Sequence, residues 1–204
     1  MRTLIFFLSL ILALPALAQE QRIVMLGDSL TSGYGLEAGQ DLPSQLQYQL
    51  EELGLSVKVE NAGVGGDTTA GGLSRLTWAT SGSPPPALTI IGLGGNDLLR
   101  GINPATSKAN LAAIIENLQQ RQVPVLLLGM RAPANLGPDF VTAFDALYPQ
   151  LAAHYKIPLY PFLLDGVAMV PQLNQADGIH PNAAGVSKIA VALSPVVKSA
   201  LGKP

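Results

Sequence analysis

Five runs of consecutive apolar residues punctuate the chain: Ile23–Leu26, Val57–Val59, Leu88–Leu93, Val123–Leu128 and Ile157–Tyr160. Each is of strand length and continuous more than alternating, with Ile and Val frequent, as in strands covered on both faces of a parallel sheet. Between them lie stretches of helical period: Leu42–Leu53, Leu73–Ala79, Thr106–Arg121, Phe140–Tyr155 and a final Ala183–Leu201. Strand and helix alternate throughout. This order predicts right-handed crossovers and an α/β fold, a three-layer α/β/α sandwich around a five-stranded parallel sheet. Ligand chemistry in such a sheet gathers at the carboxyl ends of the strands.

One further apolar stretch, Leu4–Leu14, follows Arg2 and runs into Ala16-Leu17-Ala18, a small-x-small cleavage pattern. It is too short to span a bilayer comfortably, and polar Gln19, Glu20, Gln21 and Arg22 come directly after it. The expectation is a cleavable secretory signal peptide over Met1–Ala18, a single domain over 19–204, and a periplasmic or secreted protein with no transmembrane segment after cleavage. A chain of 204 residues suits one ordinary domain, and no repeat divides it. Ser83-Pro84-Pro85-Pro86 reads as a stiff loop leading into the third strand.

Composition narrows the chemistry. Cysteine is absent, which removes disulfides, thiolate metal sites and a Cys nucleophile. Histidine occurs twice, at His154 and His180, so no His-rich metal site is expected and an imidazole base has two candidates. Twelve Lys and Arg against 14 Asp and Glu give a net charge of −2, with no basic run to neutralise phosphates, so nucleic acid is not an expected partner.

The segments after the strands carry the candidate chemistry. They are Gly27-Asp28-Ser29-Leu30, then Gly65-Gly66-Asp67-Thr68, then Gly94-Gly95-Asn96-Asp97, and near the C-terminus Asp177-Gly178-Ile179-His180-Pro181. Acyl transfer needs a hydroxyl nucleophile, an imidazole to take its proton, a carboxylate to orient that imidazole, and donors for the oxyanion. Ser29 sits where a strand turns into a helix, and its own N–H is free to donate because a first helical turn has no internal acceptor. Gly66 lets a second N–H approach closely, and Asn96 offers a side-chain NH₂. The three-residue spacing from Asp177 to His180 can fold the carboxylate onto one imidazole nitrogen while the other faces Ser29.

These four blocks, in this order, resemble the SGNH, or GDSL, hydrolase superfamily. Within it the chain is most similar to the bacterial periplasmic multifunctional thioesterase I / protease I / lysophospholipase L1 group and the related arylesterases. The likeness extends over nearly all of Ile23–Leu201, through Arg131-Ala132-Pro133-Ala134-Asn135 and Ile157-Pro158-Leu159-Tyr160-Pro161-Phe162. The resemblance implies a flavodoxin-like SGNH hydrolase fold, Ser29 as nucleophile, His180 as base and acid, Asp177 as its partner, and Ser29, Gly66 and Asn96 as the oxyanion hole. It also implies a substrate class: acyl esters and thioesters, including aryl esters, acyl-CoA and lysophospholipid, hydrolysed without metal or cofactor. A monomer is the expectation for the chain.

Simpler readings stand beside these. Gly66 and Asp67 also fit a tight turn with an Asp helix cap, and Asn96 fits a turn residue. Asp28 and Asp97 read as loop-organising acceptors, and His154 as a surface or structural histidine near a helix C-terminus. Leu30, Tyr34 and Leu98 are candidates for an apolar substrate groove, and Leu76–Ser81 for a mobile flap; all fit core or ordinary loop as well. Thr31 stands where a Gly-x-Ser-x-Gly elbow would need glycine, so an α/β-hydrolase is not expected, and no G-x-G-x-x-G or G-K-[ST] is complete. Two functional alternatives remain at this level: a carbohydrate O-deacetylase of the same superfamily, and a periplasmic binding protein without turnover.

Overall fold

The strands begin and end where proline and glycine dictate. A computed structural model describes residues 20–202; the leader expected over Met1–Ala18 lies outside them. In chain order the protein forms β1 (Gln21–Gly27), α1 (Ser29–Ser32), α2 (Leu42–Glu52), β2 (Val57–Gly63), α3 (Thr69–Ala79), β3 (Leu88–Gly92) and α4 (Gly95–Leu99). There follow α5 (Pro104–Gln120), β4 (Val125–Leu128), α6 (Pro138–Tyr155), β5 (Leu159–Tyr160) and α7 (Ala183–Leu201). All five strands are parallel, in the order β2-β1-β3-β4-β5. This is the expected sandwich.

The apolar runs are continuous because both faces of the sheet are covered. Ile23 and Met25 of β1, Leu88 and Ile90 of β3, and Leu126 and Leu128 of β4 enter one core, under Leu42, Leu46 and Leu50 of α2 and Val186, Ile189 and Leu193 of α7. The intervening Leu26, Ile91, Val125 and Leu127 enter the other, under Leu76 of α3, Ile114 and Ile115 of α5 and Phe144 and Leu147 of α6. The period of two that a half-buried strand displays in sequence is thus hidden by burial on both sides. Helix α7 is long and apolar enough to cross a membrane, yet its apolar face is spent on this core.

Several boundaries differ from those expected. Leu93 leaves β3 because Gly94, at φ +115°, turns the chain into α4; the Leu93 carbonyl instead accepts the buried Tyr148 hydroxyl at 3.0 Å. Val123 and Ile157 are excluded by Pro124 and Pro158, which lack the N–H a ladder needs, although both prolines still accept through their carbonyls. Helix α3 starts at Thr69, ahead of Leu73, because Thr68 caps it by accepting from the Gly71 N–H at 3.2 Å. The glycines at 71 and 72 had masked that first turn. Helices α1 and α4, four and five residues long, are too short to show a period.

The carboxyl edge of the sheet is made of glycine. Gly63 of β2, Gly27 of β1 and Gly92 of β3 lie abreast in register. Helix α1 packs across them so tightly that a Cβ on Gly27 would meet Thr31 Oγ1 at 2.0 Å, and one on Gly63 would meet the Ser32 backbone nitrogen at 2.3 Å. The buried Thr31 therefore sits directly on the strand ends.

Gly63→Ala is expected to lower stability by about 1–3 kcal/mol, since its methyl meets backbone that cannot swing aside. Gly65→Ala, where a Cβ meets nothing within 4 Å, is expected to change it by no more than about 0.5 kcal/mol. Urea denaturation midpoints of the two variants check this contrast.

Candidate active site

The first catalytic candidate is presented by α1. Its cap is Asp28, which is 2 % exposed and accepts from the Leu30 N–H through Oδ1 at 3.0 Å. The carbonyl of Asp28 accepts from Thr31 and Ser32 at 3.2 and 2.9 Å, closing the turn. This leaves the Ser29 side chain at the mouth of a cleft and its N–H without a partner among the described residues, as the first N–H groups of a helix must be.

Far along the chain, the segment before α7 supplies the imidazole. Asp177 organises its own loop: Oδ1 accepts from the N–H groups of Ile179 and His180 at 2.9 and 3.0 Å, and Oδ2 meets His180 Nδ1 at 2.6 Å. His180 Nε2 then lies 2.9 Å from Ser29 Oγ. The bond to the His180 N–H, the contact with its ring and the bond from Ile179 hold the Asp177 carboxyl down at about 2. It stays ionised well below the ordinary carboxylate range.

The remaining polar groups come from the loops after β2 and β3. Asn96 Nδ2 donates to the Asp67 carbonyl at 2.9 Å and reaches Asp28 Oδ2 only at 3.4 Å, so one of its N–H groups is weakly engaged. Gly66 adopts φ +81°, its carbonyl accepts from Arg100 at 2.7 Å, and its N–H has no partner among the described residues. Ser29, Gly66, Asn96 and His180, together with Leu30, Tyr34 and Leu98, line a single cleft of about 750 Å³; Asp177 stands behind His180. The Tyr34 ring flanks the imidazole with centroids 4.7 Å apart.

Two carboxylates fix this arrangement without reaching the cleft floor. Asp97, wholly buried, accepts from Thr69 N and Oγ1 at 2.8 and 2.6 Å and from Ser107 Oγ at 2.8 Å, tying α4 to the starts of α3 and α5. Asp67 is not the helix cap it could have been; Thr68 is. Asp67 instead pairs with Arg75 at 2.6 Å, and Arg75 also donates to the Gly27 carbonyl at 2.9 Å, joining the β2 loop to the end of β1.

Sequence reasoning missed two groups of residues. Met130, Arg131, Phe162, Leu164, Met169 and Ile179 complete the cleft walls. Most follow β4 or β5, so position after a strand was the only available signal. Gln175 is the second. Its Nε2 donates to the carbonyls of Tyr34 and Pro181 at 2.8 and 3.0 Å, latching the His180 loop to the segment after α1. The stretch Leu76–Ser81 does not form a flap over the cleft. Leu76 and Ala79 are buried in α3, and Ser81 receives Arg22 at the amino-terminal end of β1, the far edge of the sheet. His154 is exposed in the last turn of α6.

Residues 25–187 match the model of the GDSL-like lipase/acylhydrolase family. The chain belongs to this family. It is 41% identical to esterase TesA of Pseudomonas aeruginosa over 193 residues, covering 93% of this chain and 96% of that protein. It is 38% identical to thioesterase 1/protease 1/lysophospholipase L1 of Escherichia coli K12 over 176 residues, 86% of this chain and 83% of that one. Among solved structures, AlinE4, an SGNH-hydrolase family esterase, superposes with a TM-score of 0.77 at 46% identity, over 92% of this chain and all of that one.

Within this family site the buried Asp28 has a measurable signature. Burial pushes its carboxyl up from 3.8 to about 6, against the pull of the Leu30 N–H and of His180. Between those two values the folded state holds more protons than the unfolded chain, so stability falls as pH rises from about 4 to 6, by up to about 3 kcal/mol. Asp28→Asn, which can still cap α1, is expected to remove that slope. Urea denaturation of both proteins at intervals across this range checks it.

Proposed function

We propose that the protein is a serine esterase and thioesterase that hydrolyses acyl esters and thioesters through an acyl-enzyme on Ser29. The observation that carries this reading is the 2.9 Å contact between His180 Nε2 and Ser29 Oγ, across 151 positions of chain, with the opposite ring nitrogen held by Asp177. A hydroxyl in that setting is activated by a base already oriented for proton transfer.

In the proposed cycle His180 Nε2 takes the Ser29 proton as Oγ attacks the acyl carbon, and the imidazolium is stabilised by the Asp177 carboxylate at Nδ1. The oxyanion rests against the N–H groups of Ser29 and Gly66 and the Asn96 amide. Preorganised donors of this kind favour the charge that develops in the transition state over the neutral carbonyl. His180 then passes its proton to the departing alkoxide or thiolate. Water, deprotonated by the same nitrogen, attacks the acyl-enzyme, and the proton returns to Ser29 as the acid leaves.

The apolar walls of the cleft, from Leu30, Tyr34 and Leu98 to Met130 and Phe162, support an acyl chain as the group bound beside the serine. The esterase, thioesterase and lysophospholipase names of the relatives point the same way. The O-deacetylase reading finds less support, because the one tryptophan, Trp78, lies outside the cleft and leaves no indole there for a sugar to stack on. Export under a leader over Met1–Ala18 belongs to the proposal and is supported by the sequence alone.

With p-nitrophenyl butyrate, Ser29→Ala is expected to lower kcat about 10⁴–10⁶-fold and Asn96→Ala about 10²–10³-fold. A fluorophosphonate probe should label wild type at Ser29 and leave Ser29→Ala unlabelled. Near-normal turnover by Ser29→Ala would reject the nucleophile. Tyr34→Ala is expected to alter the preference across a series of p-nitrophenyl esters of increasing chain length, and an unchanged profile would remove Tyr34 from the acyl groove.

A further inference from the structure

Five arginines lie among the described residues, and four give their guanidinium to an acceptor. Arg22 pairs with Glu60, Arg75 with Asp67, Arg100 donates to the Gly66 carbonyl and Arg121 to Thr80. Arg131 alone makes neither hydrogen bond nor ion pair among the described residues, yet it lines the cleft that holds Ser29. Its guanidinium lies over the Phe162 ring, 5.4 Å from the centroid, which braces it while leaving its N–H groups uncommitted. The carboxylate that reaches the adjoining backbone, Asp145, spends Oδ1 on the Ala132 N–H at 2.8 Å.

We propose that Arg131 is the residue through which this cleft selects acyl esters bearing a second, anionic group, a carboxylate or a phosphate, on one side of the scissile bond. The proposal rests on the esterase reading and names the substrate class within it. A neutral ester in the apolar cleft leaves the exposed Arg131 guanidinium without a charged partner. An anionic oxygen pair matches the planar fork of the guanidinium and can accept two parallel hydrogen bonds from it. The aromatic brace also reduces the freedom the side chain would lose on pairing. Two positions of the anion satisfy this chemistry, the far end of the acyl chain and the leaving group.

Four esters of one acyl-chain length, paired with and without the anion, separate them. Mono-p-nitrophenyl adipate, with its carboxylate on the acyl side, is compared with p-nitrophenyl hexanoate; the hexanoate of p-hydroxyphenyl phosphate, with the anion on the leaving group, is compared with phenyl hexanoate. In Arg131→Met the anionic-to-neutral ratio of kcat/KM is expected to fall about tenfold or more for one of the two pairs. Arg131→Lys should recover part of that ratio, and added salt should lower it in wild type but not in Arg131→Met. Ratios unchanged by Arg131→Met in both pairs, or equal losses on charged and neutral esters, would overturn the proposal.

A binding measurement keeps the two readings apart. Calorimetric titration of the anionic esters into Ser29→Ala, where the nucleophile is absent, should give weaker binding once Arg131→Met is added. If wild type hydrolyses none of the four esters while that difference in binding persists, the esterase reading fails and the role of Arg131 stands. Equal binding to both variants sinks the role of Arg131, whatever the rates.

Discussion

The packing of one short helix on glycine strand ends is the constraint from which the rest of the site follows. Gly63, Gly27 and Gly92 end neighbouring strands in register, and α1 lies against the first two at distances no side chain would permit. Strand ends in a parallel sheet are normally crowded by their own alternating residues. The missing side chains of Gly27 and Gly63 open a shelf into which Thr31 and Ser32 settle. Ser29, one turn earlier, is thereby fixed at the sheet edge, where the loops after β2 and β3 already converge. Burial of two cores across the sheet supplies the rigidity that makes such a shelf worth having.

Around that shelf the charges are sorted by environment. Asp177 is partly exposed, accepts three hydrogen bonds within its own loop and remains ionised, so it can stabilise a positive imidazole. Asp28 is one residue from Ser29 but buried, and its carboxyl resists ionisation. Two acids close to one serine therefore have opposite characters. One balances the charge that His180 gains; the other holds the helix turn through its bond from the Leu30 N–H. Asp97 and the Asp67–Arg75 pair act at a further remove, joining the loops so that the donors do not drift apart.

Much of this was legible in the sequence because the signals were local. The five strands, the long helices and the four polar blocks each announced themselves through runs of apolar residues or through short glycine-bounded motifs. Boundaries failed where a single residue overrode a pattern: Pro124 and Pro158 trimmed strands, Thr68 capped a helix whose first turn carried glycines, and Gly94 turned Leu93 out of its ladder. The position of Leu76–Ser81 failed for a different reason. Hydrophobic spacing says which face of a helix is buried, not which end of the sheet its last turn meets. Arg131 and Gln175 were opaque because their meaning lies in what surrounds them, an aromatic ring without an acid in one case and a carbonyl 141 positions away in the other.

That last tie gives the site a particular weakness. Asp177 and His180 hold each other through bonds inside one short loop, whereas Ser29 belongs to the opposite end of the polypeptide. Gln175 stitches the two halves together, and Gly35 makes room for it, since any added methyl would collide with its amide at 2.2 Å. Loosening this stitch would leave an intact acid–base couple facing an intact alcohol, with only the gap between them changed. Such a protein would look native by every measure of folding and still fail at its first proton transfer.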